Sequence, residues 1–344
     1  MTIVGLNLGK SSVRAIELEK KKDDIVVTNF GSYDNPRLNL ESREKEDIDS
    51  FSNTLKHFFT EAGFSTPNVV SGLHESNLFM RVVKFPIMND KELKTSVKYE
   101  ADQYIPLPRD QYVLSYQKMD PDFTEKDKVN VQIVAAKKDA LDNYVSIIKK
   151  AGLVPRAIEP ETVALGRALG DKQDSPLGTM ILKMGYSGTL VIVCYGGYVR
   201  FTRALPVGGE MLTKIIQQEL NLEREQAEEY KKVYGADKFQ AEGKVFEVIK
   251  PSLDNLILEV KRASVFFTKH NPSANIKRII LSGGTALMPG LITYIANNID
   301  NEVQVANPLA GLTISPKMEK QKNVLIENSA SYSTAVGLAL RGLQ

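Results

Sequence analysis

The chain has 344 residues, 42% of them apolar and 25% charged, with a formal charge of +2 at neutral pH. That length exceeds one ordinary core and predicts two domains of about 170 residues each. The near-neutral balance excludes a global field for nucleic acid or an acidic membrane surface, so clusters such as Lys20-Lys21-Lys22 and Lys137-Lys138 read as solvated faces.

Apolar runs predict strands over 3–8, 13–19 and 25–29, and the polar stretch 35–47 reads as a loop. A helix over 48–62 places Phe51, Leu55 and Phe58 or Phe59 on one stripe. Strands follow at 69–73 and 78–85, the second ended by Pro86. Next comes a segment that reads as inserted. Asn89 is a candidate N-cap for a helix through Tyr104, with Leu93, Val97, Ala101 and Tyr104 on one face. Ile105-Pro106-Leu107-Pro108 stops that helix. Strands over 112–118 and 129–136 flank a polar loop, a helix covers 140–151 up to Gly152, and a strand covers 154–158.

The polar, proline-containing stretch 171–177 is the best linker. Beyond it, strands are expected over 180–184, 189–195 and 198–204, the last two joined by Gly196-Gly197. Helices follow over 211–220, 224–234 and 246–268. A strand over 278–281 leads into Ser282-Gly283-Gly284-Thr285, and helices over 291–298 and 331–341 close the chain.

Two glycine turns stand in equivalent places. Gly9-Lys10-Ser11-Ser12 joins the first two strands of one half, and Gly185-Tyr186-Ser187-Gly188 those of the other. Such hairpins can close backbone N–H groups around a phosphate. The repeat makes the fold a duplicated α/β architecture with a cleft between halves, a preferred place for ligands. The single cysteine, Cys194, forbids an intrachain disulfide, fits a reducing compartment and reads as inert core. His57, His74 and His270 are scattered, without the spacing of a metal site or of a Ser-His-Asp constellation. No run approaches the roughly 18 apolar residues that span a bilayer, and Asn7 and Lys10 interrupt the N-terminal run against a signal peptide.

The order of these turns resembles the superfamily of actin, sugar kinases and heat-shock chaperones. Within it the chain resembles the PilM family of type IV pilus assembly proteins. The resemblance rests on Gly5-Leu6-Asn7-Leu8-Gly9-Lys10-Ser11-Ser12-Val13-Arg14, Tyr99-Glu100-Ala101-Asp102-Gln103-Tyr104-Ile105-Pro106, Arg203-Ala204-Leu205-Pro206-Val207-Gly208-Gly209 and Ala335-Val336-Gly337-Leu338-Ala339-Leu340-Arg341-Gly342-Leu343. It implies a duplicated actin-like (ribonuclease H-like) two-domain fold with an inserted small α/β subdomain, of the FtsA/PilM type. The expected division is 1–88 with 156–175 as first domain, 89–155 as insert, 176–210 with 270–344 as second domain, and 211–269 as its helical subdomain.

The resemblance also implies a nucleotide site. Its members would be Gly9, Lys10, Ser11 and Ser12 at the first phosphate turn, and Lys183, Gly185, Tyr186 and Ser187 at the second. Gly208, Gly209, Glu228, Lys231, Gly283, Gly284, Thr285 and Met288 would lie around the adenosine. The family places an aspartate two residues before each turn's glycine, to hold hydrated magnesium for phosphoryl transfer. Here those positions are Asn7, which brings no charge, and Lys183, which repels a divalent ion. Two readings of Lys183 stay open: with Lys10 it pairs with phosphates directly, or it points into solvent beside an empty cleft. Tyr186 adds bulk where a small residue is usual. Glu228 and Lys231 read either as nucleotide contacts or as a surface i,i+3 ion pair. Glu159 and Glu161 occupy the connection where some relatives place a water-orienting residue, and read here as structural.

The expectation is a scaffold, not an enzyme: no catalytic residue, no metal ligand, magnesium absent, ATP binding open. The implied partner is the cytoplasmic N-terminal tail of PilN, held in a groove between first domain and insert. Pilus motor ATPases and a second copy are further candidate partners; nucleic acid and direct membrane insertion are not expected. The implied place is the cytoplasm, at the inner membrane through a partner. The alternatives are an active actin-like ATPase and an FtsA-type filament-forming division protein. FtsA-type chains usually end in an amphipathic helix, unlike Arg341-Gly342-Leu343-Gln344.

Overall fold

Three consecutive strands, β1 (Thr2–Leu8), β2 (Ser12–Lys21) and β3 (Asp24–Asp34), pair antiparallel in chain order. Ile3, Val4, Leu6 and Leu8 are all buried because both faces of β1 are covered, which makes its sequence a nearly unbroken apolar run. The structure, a computed structural model, describes residues 1–34, 40, 42–119, 127–171, 177–271 and 274–344. Much of the expected linker 171–177, and parts of the loops expected at 35–47 and between the strands at 112–118 and 129–136, lie outside the described residues.

Helix α1 (Lys45–Ala62) buries Phe51, Leu55, Phe58 and Phe59 against β1 and β2, as their spacing predicts. Strand β4 (Asn68–Leu73) then pairs parallel with β1. The next strand, β5 (Leu78–Pro86), leaves this sheet. It pairs with β7 (Lys128–Lys137), which pairs in turn with β6 (Tyr112–Lys118). Helix α2 (Asp90–Tyr104) lies on this three-stranded sheet. Asn89 caps it in a reciprocal box with Glu92, and Leu93, Val97 and Ala101 pack on Phe85, Val131 and Ile133. Tyr104 departs from the expected stripe: it sits at the rim beneath the Arg81 guanidinium, 3.8 Å from the ring centroid.

The small sheet therefore takes its first strand from 78–86, before the expected start at 89. The end of the expected insert also falls elsewhere. Helix α3 (Lys138–Lys150) buries Tyr144, Ile147 and Ile148 in the core under α1, and β8 (Val154–Pro160) pairs with β4. Helix α4 (Glu161–Leu169), which no periodicity announced, follows directly.

The second half repeats the first. Strands β9 (Leu177–Met184), β10 (Thr189–Tyr195) and β11 (Tyr198–Leu205) form the same meander, with Gly196 and Gly197 at φ 59° and 77° in the tight turn. Helices α5 (Gly209–Glu219), α6 (Arg224–Val233) and α7 (Lys244–His270) precede β12 (Asn275–Ser282), which pairs parallel with β9. Helix α8 (Leu291–Ala296) and β13 (Glu302–Val305) complete a sheet ordered β11-β10-β9-β12-β13, and β3-β2-β1-β4-β8 is the same order in the first half.

The chain then returns. β14 (Thr313–Ile314) pairs with β3, α9 (Lys322–Glu327) follows, and α10 (Ser333–Gly342) packs across β1, β2 and β4. The end of the expected second domain, 270–344, thus packs on the first sheet. Conversely, Leu165 and Leu169 of α4 pack with Ile181, Leu190 and Ile192 of the second sheet. Small residues make this exchange tight. A Cβ on Gly337 would lie 1.9 Å from the Ala164 carbonyl oxygen, and one on Gly5 1.9 Å from that of Ala335.

Gly337→Ala is expected to destabilise the chain by about 1–3 kcal/mol through overpacking at that contact. Urea unfolding measures it; a midpoint equal to the parent's would show that α10 is not seated this closely.

Candidate functional site

The two glycine turns face each other across a cleft of about 1210 Å³ between the sheets. Each turn is closed the same way: the Gly9 amide donates to the Ser12 carbonyl (3.0 Å), and the Gly185 amide to the Gly188 carbonyl (2.9 Å). Of the residues expected at a nucleotide site, Gly9, Lys10, Ser11, Ser12, Lys183, Gly185, Tyr186, Ser187, Gly209, Glu228, Lys231, Gly283, Gly284, Thr285 and Met288 all line this cleft. Gly208 stands just behind, where a Cβ would meet the Gly188 amide at 2.3 Å. The third turn is built for close approach: Gly283 has φ 90°, and a Cβ there would strike the Met184 carbonyl at 2.4 Å.

Lys183 follows neither reading left open by its sequence. Its ammonium donates to Glu161 Oε2 at 2.6 Å, linking β9 to the first turn of α4, and the Glu161 carboxylate is almost wholly buried. Burial alone would raise the Glu161 pKa. The Lys183 charge, the His74 ring and the Lys183 hydrogen bond outweigh it and hold the carboxyl below its ordinary value. Glu161 Oε1 accepts no hydrogen bond; His74 Nε2 is 3.7 Å away. Glu159 is structural, its two oxygens gripped by Arg167 at 2.5 and 2.8 Å.

Arg14 is a cleft residue that pattern reading passed over. Strand pairing sets it directly opposite Asn7, while the equivalent partner of Lys183 is Leu190. Its guanidinium donates to Ser12 Oγ at 2.5 Å and reaches the third turn, 3.7 Å from where a Cβ on Gly284 would stand. The clue was available: two residues along a strand from Ser12, its side chain must leave the same face.

On the opposite wall Glu228 and Lys231 do form the i,i+3 pair (2.5 Å), but not on the surface. Lys231 is 7% exposed and also donates to Thr213 Oγ1 (2.7 Å) and the Gly209 carbonyl (3.0 Å), so it supports the start of α5. Tyr186 is held at the cleft mouth. Arg224 donates to its hydroxyl at 3.0 Å and to both oxygens of Glu210 at 2.8 and 2.6 Å. The Arg224 hydrogen bond, aided by Tyr186, brings the Glu210 carboxyl down to about 2 despite some burial. Cys194 is buried core, its thiol pushed up to about 12 by burial and by the nearby Asp171.

Two sheets of one strand order, each carrying a glycine hairpin into a shared cleft, define the actin-like class. The chain belongs to the family of type IV pilus assembly proteins PilM, whose profile matches residues 5–343. It is similar to a chain solved as a PilM-PilN type IV pilus biogenesis complex: TM-score 0.85, 24% identity, 99% of this chain and 98% of that one covered. It is also similar to MreB5 of Spiroplasma citri, solved bound to AMPPNP: TM-score 0.51, 15% identity, 95% and 98% covered. Among curated proteins it is similar to cell division protein FtsA of Bacillus subtilis (strain 168), 24% identical over 376 residues, covering 97% of this chain and 82% of that protein. Among the described residues no helix is long and apolar enough to cross a membrane.

Removing one partner of the buried pair should leave an uncompensated charge. Lys183→Met is expected to destabilise by about 3–5 kcal/mol, and adding Glu161→Gln to recover most of that. Denaturant unfolding of both single variants, the double variant and the parent closes a double-mutant cycle; strictly additive effects would mean that the pair does not form.

Proposed function

We propose that this chain is a scaffold of the type IV pilus assembly machinery, acting at the cytoplasmic face of the inner membrane. In this reading it holds the cytoplasmic N-terminal tail of a PilN-like membrane protein and links it to the pilus motor ATPases. Its cleft takes a nucleotide without hydrolysing it. The observation that carries the non-hydrolytic reading is the Lys183–Glu161 pair. An ammonium occupies the place of a metal-supporting carboxylate, and it neutralises Glu161, a carboxylate lining the cleft. Phosphoryl transfer lacks its usual electrostatic support under those conditions.

The residues fit nucleotide phosphates better than a divalent ion. Two glycine turns and the Arg14 guanidinium suit anions, whereas among the described residues no group of three His, Cys, Asp or Glu side chains is placed to hold a metal ion. Gly9, Ser11, Ser12, Gly185 and Ser187 would face the phosphates; Gly209, Glu228, Gly283, Gly284 and Met288 would face the nucleoside.

The partner reading is supported by family membership and by a second concavity of about 220 Å³ on the small sheet. Phe79, Met80, Val83, Ala101, Tyr104, Ile105 and Ile133 line it, with Arg81 at its edge. An apolar hollow with one cation suits a side-chain anchor of an extended peptide. The similarity to FtsA favours a second reading, a filament former, which ATP-dependent sedimentation would reveal.

A peptide copying the cytoplasmic tail of the PilN-like protein from the same genome is expected to bind. Ile105→Asp should weaken it about tenfold or more, about 1.4 kcal/mol, with circular dichroism showing that the variant is folded at the assay temperature. Equal affinity of parent and variant in calorimetry would remove the small sheet from the interface. In a phosphate-release assay, ATP with magnesium should give only background turnover; magnesium-stimulated release would end the non-hydrolytic reading.

A further inference from the structure

We propose that the floor of the cleft is a proton-sensitive clamp between the two halves, closed by the Glu75 carboxyl. Glu75 begins the short 3-10 turn Glu75–Asn77 that follows β4. Its Oε2 accepts from Thr162 Oγ1 of α4, and its Oε1 from Thr202 Oγ1 of β11, each at 3.2 Å. One carboxyl thereby ties the first half to the joining helix and to the second sheet.

The charges around Glu75 come from each element packed there. Glu161 on α4 is an anion, and Lys183 on β9 is already matched to it at 2.6 Å. His74 precedes Glu75; its Nδ1 accepts from the Ser76 amide at 3.3 Å and its Nε2 lies 3.7 Å from Glu161 Oε1. Lys137, at the end of β7, donates to the Ser76 carbonyl of the same turn at 3.1 Å. An ionised Glu75 is therefore a second buried carboxylate beside Glu161, and protonation of Glu75 removes that repulsion.

Burial first, and then the Glu161 charge, raise the Glu75 carboxyl to about 7, against the pull of Thr162, Thr202 and Lys183. The sign follows. The folded chain holds this proton more tightly than the unfolded chain. The stabilisation is complete below the ordinary value of 4.5 and is lost as pH rises through about 7. Above that, the ionised Glu75 is a buried carboxylate beside Glu161, and hydrating it requires the floor between the halves to open.

The test uses the full chain with spin labels at exposed positions 56 on α1 and 261 on α7, leaving the buried Cys194 in place. Between about pH 6 and about pH 8 the parent's label distance should lengthen and its thermal midpoint fall, while Glu75→Gln keeps both nearly constant. Thr202→Val, which removes the tie to β11, should show the longer distance already at about pH 6 and remain folded. Parallel pH profiles for parent and Glu75→Gln would overturn the clamp, and so would a Thr202→Val chain that is as closed as the parent at about pH 6.

Discussion

The joining helix α4 enters the cleft with a carboxylate, and β9 meets it with an ammonium. That buried pair, Glu161 with Lys183, is the constraint on which the arrangement of the two halves depends. Two charges removed from water must be matched closely or they unfold what surrounds them. The match here fixes where α4 begins relative to the second sheet. It also sets the charge of the cleft, because Lys183 and Glu161, both lining it, are matched to each other.

The two halves share a strand order and a turn closure, but the chain does not keep them apart. The last helix, α10, lies on the first sheet, and α4 packs partly on the second. Glycine at positions 5 and 337 allows backbones to approach where any side chain would collide. The small sheet is tied in as well: Gln132 of β7 donates to the Val199 carbonyl in the β10–β11 hairpin at 3.1 Å. The cleft walls are therefore tied together through several elements of both halves.

Charge in the cleft is distributed unevenly between equivalent places. Asn7 faces Arg14 across the first hairpin, and Lys183 faces Leu190 across the second. One half offers a guanidinium toward the shared space, and the other directs its ammonium to Glu161. The two turns thus share a backbone closure while their electrostatics differ. Backbone closure of a turn survives such changes because it depends on glycine and main-chain hydrogen bonds rather than on side-chain charge.

Local chemistry determined most of what pattern reading recovered. The apolar runs of the meanders, the Asn89–Glu92 capping box, the Gly196-Gly197 hairpin and the three glycine turns all act within a few residues, so they are written in order along the chain. The helix at Glu161–Leu169 was hidden because it is covered by α10 and the second sheet together and shows no polar face to set a period. The strands at 302–305 and 313–314 are too short for alternation to register. The membership of β5 in the small sheet, of α3 in the first core and of 313–342 on the first sheet depends on which surfaces meet, and no local rule states that. The fate of Lys183 was of the same kind: sequence determined that a cation stands there, and only the tertiary structure decided that a carboxylate 22 positions earlier takes it, because an ion pair is selected by distance in space.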